Sequence, residues 1–209
     1  FWTAGSGTFW IESQAAPLRR PEPGGAAPYA GKEFARMNAF LLLVPFFLIR
    51  FGLLSLLSRQ AVRRAARFAP LRGPEKTAYV VYQLSNAGIV LGPLFLSVRP
   101  GPPALFCAGV LCYGVGLALC AASVASFAFP GGTGLNTRGM YRFSRHPMYV
   151  AYFVCFAGVA LLTRSPVLFC LVLAFQISAH WIVLAEERWC LETFGDEYRR
   201  YMEKVRRYL

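Results

Sequence analysis

Five long apolar runs, separated by short polar connections rich in arginine, dominate the sequence after residue 36. A helix that crosses a bilayer needs about 20 predominantly apolar residues, within a range of roughly 17 to 25. Apolar residues make up 56% of the chain and charged residues only 15%, a balance too apolar for a soluble domain of this size. The sequence therefore predicts an all-α fold, a polytopic integral membrane helix bundle with about five transmembrane helices. The predicted spans are residues 37–57, 78–98, 104–127, 148–162 and 167–185.

The basic residues are distributed along the connections in a pattern that indicates topology. Four lysines and arginines precede the first span, six follow it, one follows the second, three the third and one the fourth, and six lie in the tail. Cytoplasmic connections carry the excess of lysine and arginine in membrane proteins. The alternation predicts an external N-terminus and a cytoplasmic tail. We therefore attribute the net charge of +12 to topology and to anionic lipid headgroups on the cytoplasmic side, and expect no nucleic-acid partner.

The composition along the chain predicts three segments. Residues 1–36 contain many prolines and glycines and no helical or strand period, which indicates a loosely ordered segment. Residues 37–98 hold two transmembrane helices with a basic cytoplasmic connection, and residues 99–209 hold three further transmembrane helices and a C-terminal amphipathic helix. The six cysteines show neither C-x-x-C pairing nor metal-ligand spacing, so no metal site is expected.

Three features inside the predicted spans are unusual. Arg50 is the only charged residue of the first span, and its long side chain is expected to reach the lipid headgroups. His180 is expected to form a hydrogen bond with Gln83, Asn86 or a backbone carbonyl, and a functional role for it stays open. Small residues at four-residue spacing in the third span predict close packing against a neighbouring helix. These small residues are Ala108, Cys112, Gly116 and Cys120.

The polar groups of the C-terminal half are concentrated at two places that bracket the last two predicted spans. The first is the run Arg145-His146-Pro147-Met148-Tyr149, and the second is the pair Glu186-Glu187. Two crossings return the chain to the face that it left, so both groups are expected on the same side of the membrane. The sequence thus predicts a site at the cytoplasmic surface that combines cations, aromatic rings and two carboxylates.

Three motifs follow one another in this half: G-M-Y-R-F-S-R-H-P-M-Y at 139–149, E-E-R at 186–188 and F-G-D-E-Y at 194–198. Their combination resembles the membrane methyltransferases typified by isoprenylcysteine carboxyl methyltransferase, and phospholipid N-methyltransferases share related features. The resemblance covers about residues 105–205. It implies an all-α membrane bundle that binds S-adenosylmethionine at the cytoplasmic side and methylates a lipophilic acceptor. The implied acceptors are an isoprenylcysteine-like carboxylate, an isoprenoid, a lipid or an amine.

The resemblance also implies a set of site residues, in which Arg145 and Glu187 have catalytic roles. The carboxylate of S-adenosylmethionine needs a fixed cation or donor, which Arg145 and His146 supply. The ribose diol and the ammonium need carboxylate acceptors, which Glu186 and Glu187 supply. The cofactor-binding set is Tyr141, Arg145, His146, Pro147, Met148, Tyr149, Glu186 and Glu187.

The start of the fourth predicted span contributes several members of this set. Pro147 fits the first helical position, because its missing N–H costs nothing there. The free N–H groups near Met148 and Tyr149 then favour an anion. Tyr141 and Tyr149 offer aromatic faces to adenine or to the sulfonium.

Two other functions stay open on the sequence alone. Membrane sterol reductases, which use NADPH, have a similar C-terminal hairpin and tail, although the R-H-P-M-Y and E-E motifs favour the methyl donor. A non-catalytic membrane scaffold whose basic loops bind anionic lipid is the other alternative. Arginine outnumbers lysine by 19 to three, and alanine, glycine and proline are abundant. This composition favours the inner membrane of a bacterium with a GC-rich genome over the endoplasmic reticulum of a eukaryote.

Overall fold

The computed structural model describes residues 37–65, 69–131 and 134–208, so the predicted loosely ordered segment 1–36 lies outside the described residues. The described chain is mostly helical, with a separate 3-10 turn at Gly139–Arg142 and no strand within these ranges. Two further 3-10 stretches, Ala39–Leu42 and Gly92–Phe95, are continuous with neighbouring helices. The predicted all-α bundle is confirmed. Its helices are α1 (Ala39–Leu57), α2 (Arg59–Ala65), α3 (Pro74–Phe95), α4 (Pro103–Ala128), α5 (Pro147–Thr163), α6 (Pro166–Phe194) and α7 (Asp196–Lys204).

Four of the five predicted spans form helices that are long and apolar enough to cross a membrane, namely α1, α3, α4 and α6. The remaining one, α5, is apolar but has only 17 residues, or about 26 Å at 1.5 Å per residue, slightly less than the ~30 Å hydrocarbon core. Helix α6 has 29 residues and continues nine residues past the predicted end at 185. The glutamate pair therefore lies within a continuous helix and not at a helix exit.

Local sequence explains where these helices begin and end. A proline occupies the first turn of α3, α4, α5 and α6, where its fixed backbone angle favours the helix and its missing N–H is not needed. The Ser165 side chain caps α6 by accepting a hydrogen bond from the Leu168 N–H at 3.2 Å. Gly195 has a φ of 53°, which glycine adopts readily, and it separates α6 from α7.

Helices α4 and α5 form the closest pair in the bundle. A Cβ atom at Gly116 would collide with the Cys155 backbone, and one at Gly158 would collide with the Tyr113 backbone. The predicted small-residue stripe is correct at Gly116 and Cys120, which are buried, but wrong at Ala108, which is exposed. Four residues turn a helix by about 400°, so a stripe at that spacing drifts away from the interface. Its place near the start of α4 is taken by Gly109, which lies against Leu162.

The other helices complete the bundle around an aromatic centre. Helix α3 packs along α6, and the Phe46, Phe156 and Phe175 rings meet with centroids 4.8 and 5.8 Å apart. Helix α1 meets α3 at one end only, where the Ala39 N–H donates to Leu96 O at 2.9 Å. The two helices separate from that point onward.

An ion pair ties α3 to the end of α6. Arg188 donates to both carboxylate oxygens of Glu75, at 2.6 and 2.7 Å, and Glu75 is buried in the first turn of α3. Two parallel hydrogen bonds fix the relative rotation of the two groups better than one does. The pair therefore holds the α6 turn that carries Glu186 and Glu187 against the start of α3.

Candidate functional site

The start of α5, the last third of α6 and the segment after α7 meet at one end of the bundle. Arg145 Nη2 lies 3.2 Å from Glu187 Oε1, and His146 Nδ1 lies 3.5 Å from Glu186 Oε2. The structure thus brings together the two polar motifs, which are about 40 residues apart in the sequence. The cationic and acidic groups form one cluster.

Glu187 lies at the centre of this cluster. Only 5% of its side chain is exposed, and its carboxylate contacts three basic side chains. Besides Arg145, these are His146, with Nε2 at 3.4 Å, and Arg207, which donates through Nη2 at 2.8 Å and through Nε at 3.1 Å. A buried carboxylate is stable only when such partners replace water. Glu187 therefore has little capacity left for a ligand and fixes the position of the surrounding cations.

Glu186 is the accessible carboxylate of the pair. Its side chain is 33% exposed, and Oε1 accepts a hydrogen bond from the Tyr149 hydroxyl at 2.9 Å. Adjacent helical positions point about 100° apart, and here both still reach the cluster because His146 lies between them. Glu186 retains acceptor capacity that Glu187 lacks.

His146 is buried between the two glutamates in the loop that precedes α5. Burial opposes protonation of the ring, but the contacts to Glu186 and Glu187 outweigh it and raise the pKa of His146 above its ordinary value of 6.5. The structure therefore favours the positively charged imidazolium. Together with Arg145, it makes this part of the site cationic.

Three buried donor atoms of the site make no hydrogen bond to any described residue: Arg145 Nε, Arg145 Nη1 and His146 Nε2. Nε2 lies near Glu187, but the contact lacks the direction of a hydrogen bond. Buried polar atoms in folded proteins nearly always have a partner, and an unpaired donor on a charged group is costly. Donors of this kind match a small anion in charge, and a carboxylate matches the planar guanidinium in shape.

The sequence that builds most of this site has characterised relatives. Residues 104–197 match the phospholipid methyltransferase family. The chain is also 36% identical over 66 residues to methanethiol S-methyltransferase 1 of Bradyrhizobium diazoefficiens, a stretch that covers 32% of this chain and 22% of that protein. It is 38% identical over 74 residues to protein-S-isoprenylcysteine O-methyltransferase of Schizosaccharomyces pombe, which covers 34% of this chain and 30% of that protein.

These matches confirm the family resemblance that the motifs indicated, and none of the three is a reductase. The chain spans less than a third of the length of either relative. The phospholipid methyltransferase region contains Arg145, His146, Glu186 and Glu187. Helices α1 and α3 precede it, and Arg207 follows it.

The segment after α7 supplies a residue that the sequence analysis did not single out. The Arg145 N–H donates to Arg206 O at 3.0 Å and the His146 N–H donates to Arg207 O at 3.2 Å, so the segment lies along the loop before α5. This places the Arg207 guanidinium on Glu187. In the sequence, Arg207 was one of six basic residues of the tail, and no spacing distinguished it from the others.

The predicted amphipathic tail helix is confirmed as far as Lys204 and wrong beyond it. Tyr198 and Tyr201 are buried, and the Tyr201 hydroxyl donates to Tyr141 O at 2.6 Å, so α7 folds back over the loop before α5. Val205 is extended, and the chain leaves the helix there. Tyr208 therefore reaches the site from an extended segment.

The remaining predicted residues also lie near the cluster. Burial raises the pKa of Tyr141, and Pro147 begins α5 as expected. The Met148 sulfur accepts from the Tyr152 hydroxyl at 3.6 Å, and the Tyr149 ring lies 6.1 Å from that of His146.

His180 has a partner that differs from the predicted ones. Its Nδ1 lies 2.9 Å from the Tyr208 hydroxyl, and not beside Gln83, Asn86 or a backbone carbonyl. No sequence pattern places Tyr208 near α6, because the contact depends on the segment that follows α7.

Proposed function

We propose that this chain is an integral membrane methyltransferase that uses S-adenosylmethionine and acts on a lipophilic acceptor. Its family and both relatives are named for methyl transfer, but the relatives' acceptors differ: methanethiol in one and isoprenylcysteine in the other. The proposal therefore rests on the shared reaction. The acceptor is a separate question.

The observation that carries the proposal is the set of unpartnered donors on Arg145 and His146. The amino-acid part of S-adenosylmethionine ends in a carboxylate, which is the anion that these buried donors fit. Glu187 orients both cations from behind and stays paired with them. The binding energy of a carboxylate at this point comes from donors that form no hydrogen bond with the described residues.

The other groups of the cofactor have partners on the accessible side of the cluster. Glu186 has acceptor capacity for the ammonium or the ribose diol. We assign the rings of Tyr141 and Tyr149 to stacking on the adenine or to contact with the sulfonium. Pro147 and Met148 shape the start of α5 beside them. The catalytic roles assigned to Arg145 and Glu187 stay predictions.

When bound, S-adenosylmethionine supplies a methyl group to a lone pair of the acceptor, and the electron pair of the broken carbon–sulfur bond stays on sulfur. The protein's contribution to such a displacement is alignment and the exclusion of water. A carboxylate acceptor needs no general base, and an amine needs one only if it binds protonated. The cluster lies at one end of the bundle, and the distribution of basic residues along the connections favours the cytoplasmic side for that end. We therefore propose a site at the cytoplasmic surface of a bacterial inner membrane, where the cofactor enters from water and the acceptor from the bilayer.

The decisive experiment is calorimetric titration of the purified protein in detergent with S-adenosylhomocysteine, with Arg145→Lys as the test variant. Lysine keeps a positive charge for Glu187 but lacks the two unpartnered guanidinium donors. We expect micromolar binding by the wild type, about −7 to −8 kcal/mol. The variant should bind ten- to hundredfold more weakly, since a charge-assisted hydrogen bond contributes about 1.5–3 kcal/mol.

Arg138→Lys is the matched control, because Arg138 is an exposed arginine of the same loop. It should bind like the wild type. If Arg145→Lys and the wild type bind S-adenosylhomocysteine with equal affinity, the Arg145 guanidinium is not part of the cofactor site. Binding of NADPH in place of S-adenosylhomocysteine would refute the methyltransferase proposal.

A further inference from the structure

A cavity lies between the helices of the bundle, away from the charged cluster. Its volume is about 250 Å³, and α1, α3, α5 and α6 line it. It occupies the space where α1 and α3 separate beyond their contact at Ala39 and Leu96. Most of the wall is aromatic, and the polar side chains among the lining residues are Arg50, Gln83 and Asn86, besides the hydroxyls of Tyr82 and Tyr152.

Arg50 is the notable member of this wall. It lies in the π-helical segment Leu48–Leu53 of α1, seven residues before the helix end at Leu57, and therefore about 10 Å inside the span. Its guanidinium lies 6.0 Å from the centre of the Tyr152 ring and lines the cavity. The guanidinium thus faces this cavity, whereas the sequence predicts that it reaches the lipid headgroups.

No described residue forms an ion pair or a hydrogen bond with the Arg50 guanidinium, whose contacts are to the Phe51 and Tyr152 rings. A charged side chain within a membrane span is costly and is usually paired or functional. π-helical segments of this kind also occur often at functional sites. The charge at the cavity wall therefore calls for an anionic partner.

The cavity adjoins the proposed cofactor site. Tyr152 lines the cavity, its ring contacts that of Tyr149 at 6.4 Å, and the Tyr149 hydroxyl donates to Glu186. Two aromatic rings, those of Tyr152 and Tyr149, therefore connect a ligand in the cavity to the accessible carboxylate of Glu186. Most of its wall, however, belongs to α1 and α3, which precede the phospholipid methyltransferase region.

From this placement we infer that the cavity is the acceptor site and that it takes an anionic amphiphile, whose charged group pairs with Arg50 while its chain lies among the aromatic rings. The inference rests on the proposed methyltransferase function. Gln83 and Asn86 supply additional hydrogen bonds to the charged group. Small-molecule pockets usually measure about 300–1,000 Å³, so a cavity of about 250 Å³ suits a single chain and not a two-chain phospholipid.

The test measures equilibrium binding of single-chain probes to the full chain in nanodiscs of phosphatidylcholine, without any cofactor. The probes share a dodecyl chain and differ in the head: dodecanoate, dodecyl phosphate, dodecanol and dodecyltrimethylammonium. We expect the two anions to bind at least tenfold more tightly than the neutral and cationic probes. The difference between dodecanoate and dodecyl phosphate identifies the preferred anion.

Arg50→Gln should abolish the preference for anions, whereas Arg50→Lys should retain most of it. Arg59→Gln is the control, because Arg59 is an exposed arginine at the start of α2, and it should behave like the wild type. If Arg50→Gln does not fold, binding of the four probes by the wild type and by Arg50→Lys still shows whether the cavity prefers anions. Equal binding of all four probes by the wild type, or an unchanged preference in Arg50→Gln, would overturn the inference.

The same preparations separate this inference from the proposed function. Binding of S-adenosylhomocysteine by Arg50→Gln should equal that of the wild type, because Arg50 is not part of the charged cluster. A protein that binds the cofactor product but shows no preference among probes keeps its proposed function and loses the acceptor site. A protein that prefers the anionic probes but does not bind S-adenosylhomocysteine has an anion-binding cavity and loses the proposed methyltransferase function.

Discussion

Charged side chains at the end of the bundle are kept ionised by one another. The Glu187 carboxylate is surrounded by three cations, and one of them, His146, is itself between two carboxylates. Removing one member of such a buried set leaves an uncompensated charge, which typically costs about 3–5 kcal/mol. Substitutions in the cluster therefore change stability as well as ligand binding, and the two effects have to be measured side by side.

His146 should make the stability of the bundle depend on pH. Its folded pKa is raised above the ordinary 6.5, so the folded protein binds the proton more tightly than the unfolded chain does. The stabilisation is complete below about pH 6.5 and is lost as the pH rises through the folded pKa. We expect the melting temperature in detergent to fall from pH 6 to pH 9 more steeply for the wild type than for His146→Gln.

His180→Gln is the control for this prediction, because the His180 ring contacts Tyr208 and not a carboxylate. Its pH dependence should follow that of the wild type. Parallel curves for the wild type and His146→Gln would show that the histidine does not carry a stabilising proton.

At the scale of the helices, the sequence predicted the features that depend on the local residue pattern, namely the positions of the helices and several of their ends. Apolar runs located five apolar helices to within a few residues at most ends, four of which are long enough to cross a membrane, and proline and Gly195 account for several boundaries. The predicted membrane span ends at residue 185 although the helix continues to Phe194, because a polar turn such as Glu186–Arg188 is typical both of a helix end and of a helix that continues into water. The position of Arg207 was missed because it depends on backbone contacts between segments about 60 residues apart.

The contact between α4 and α5 gives a prediction at this scale. Gly116→Ala introduces a Cβ that collides with the Cys155 backbone, and backbone cannot move aside as a flexible side chain can. Overpacking of this kind typically costs about 1–3 kcal/mol. We expect a lower melting temperature in detergent.

Gly114→Ala is a matched control on the same helix, because a Cβ at that position has no atom within 4 Å. Alanine is the better helix former by about 0.5–1 kcal/mol, so this variant should melt at or above the wild-type temperature. If the two variants melt alike, the close approach of α4 and α5 is not tight enough to exclude a methyl group.

At the scale of the whole molecule, both polar motifs and the folded-back tail lie at one end of the bundle. The sequence predicted this arrangement because an even number of crossings separates the two motifs. It also predicted which face of the membrane that end occupies, and this prediction depends on the distribution of basic residues alone. Helix α5 is the shortest of the predicted spans, so a test of the topology has to show that α5 crosses the membrane.

Labelling of single cysteines in intact cells tests the orientation. In a background without the native cysteines, an impermeant maleimide should modify Arg164→Cys, on the exposed turn between α5 and α6, but not Arg138→Cys. Arg138→Cys should become reactive only after the membrane is opened. Modification of Arg138→Cys from outside would place the site on the wrong face for a cofactor supplied by the cytoplasm.

The ion pair between Glu75 and Arg188 has a consequence for how such an enzyme diversifies. If α1 and α3 select the acceptor while residues 104–208 hold the cofactor, new substrates arise by exchanging one part of the chain and inheriting the other. Glu75 and Arg188 form the joint between the two parts, since one lies on α3 and the other on α6. A chimera that imports foreign N-terminal helices therefore has to retain an acidic residue at this joint, or the inherited half loses the support that aligns its glutamates.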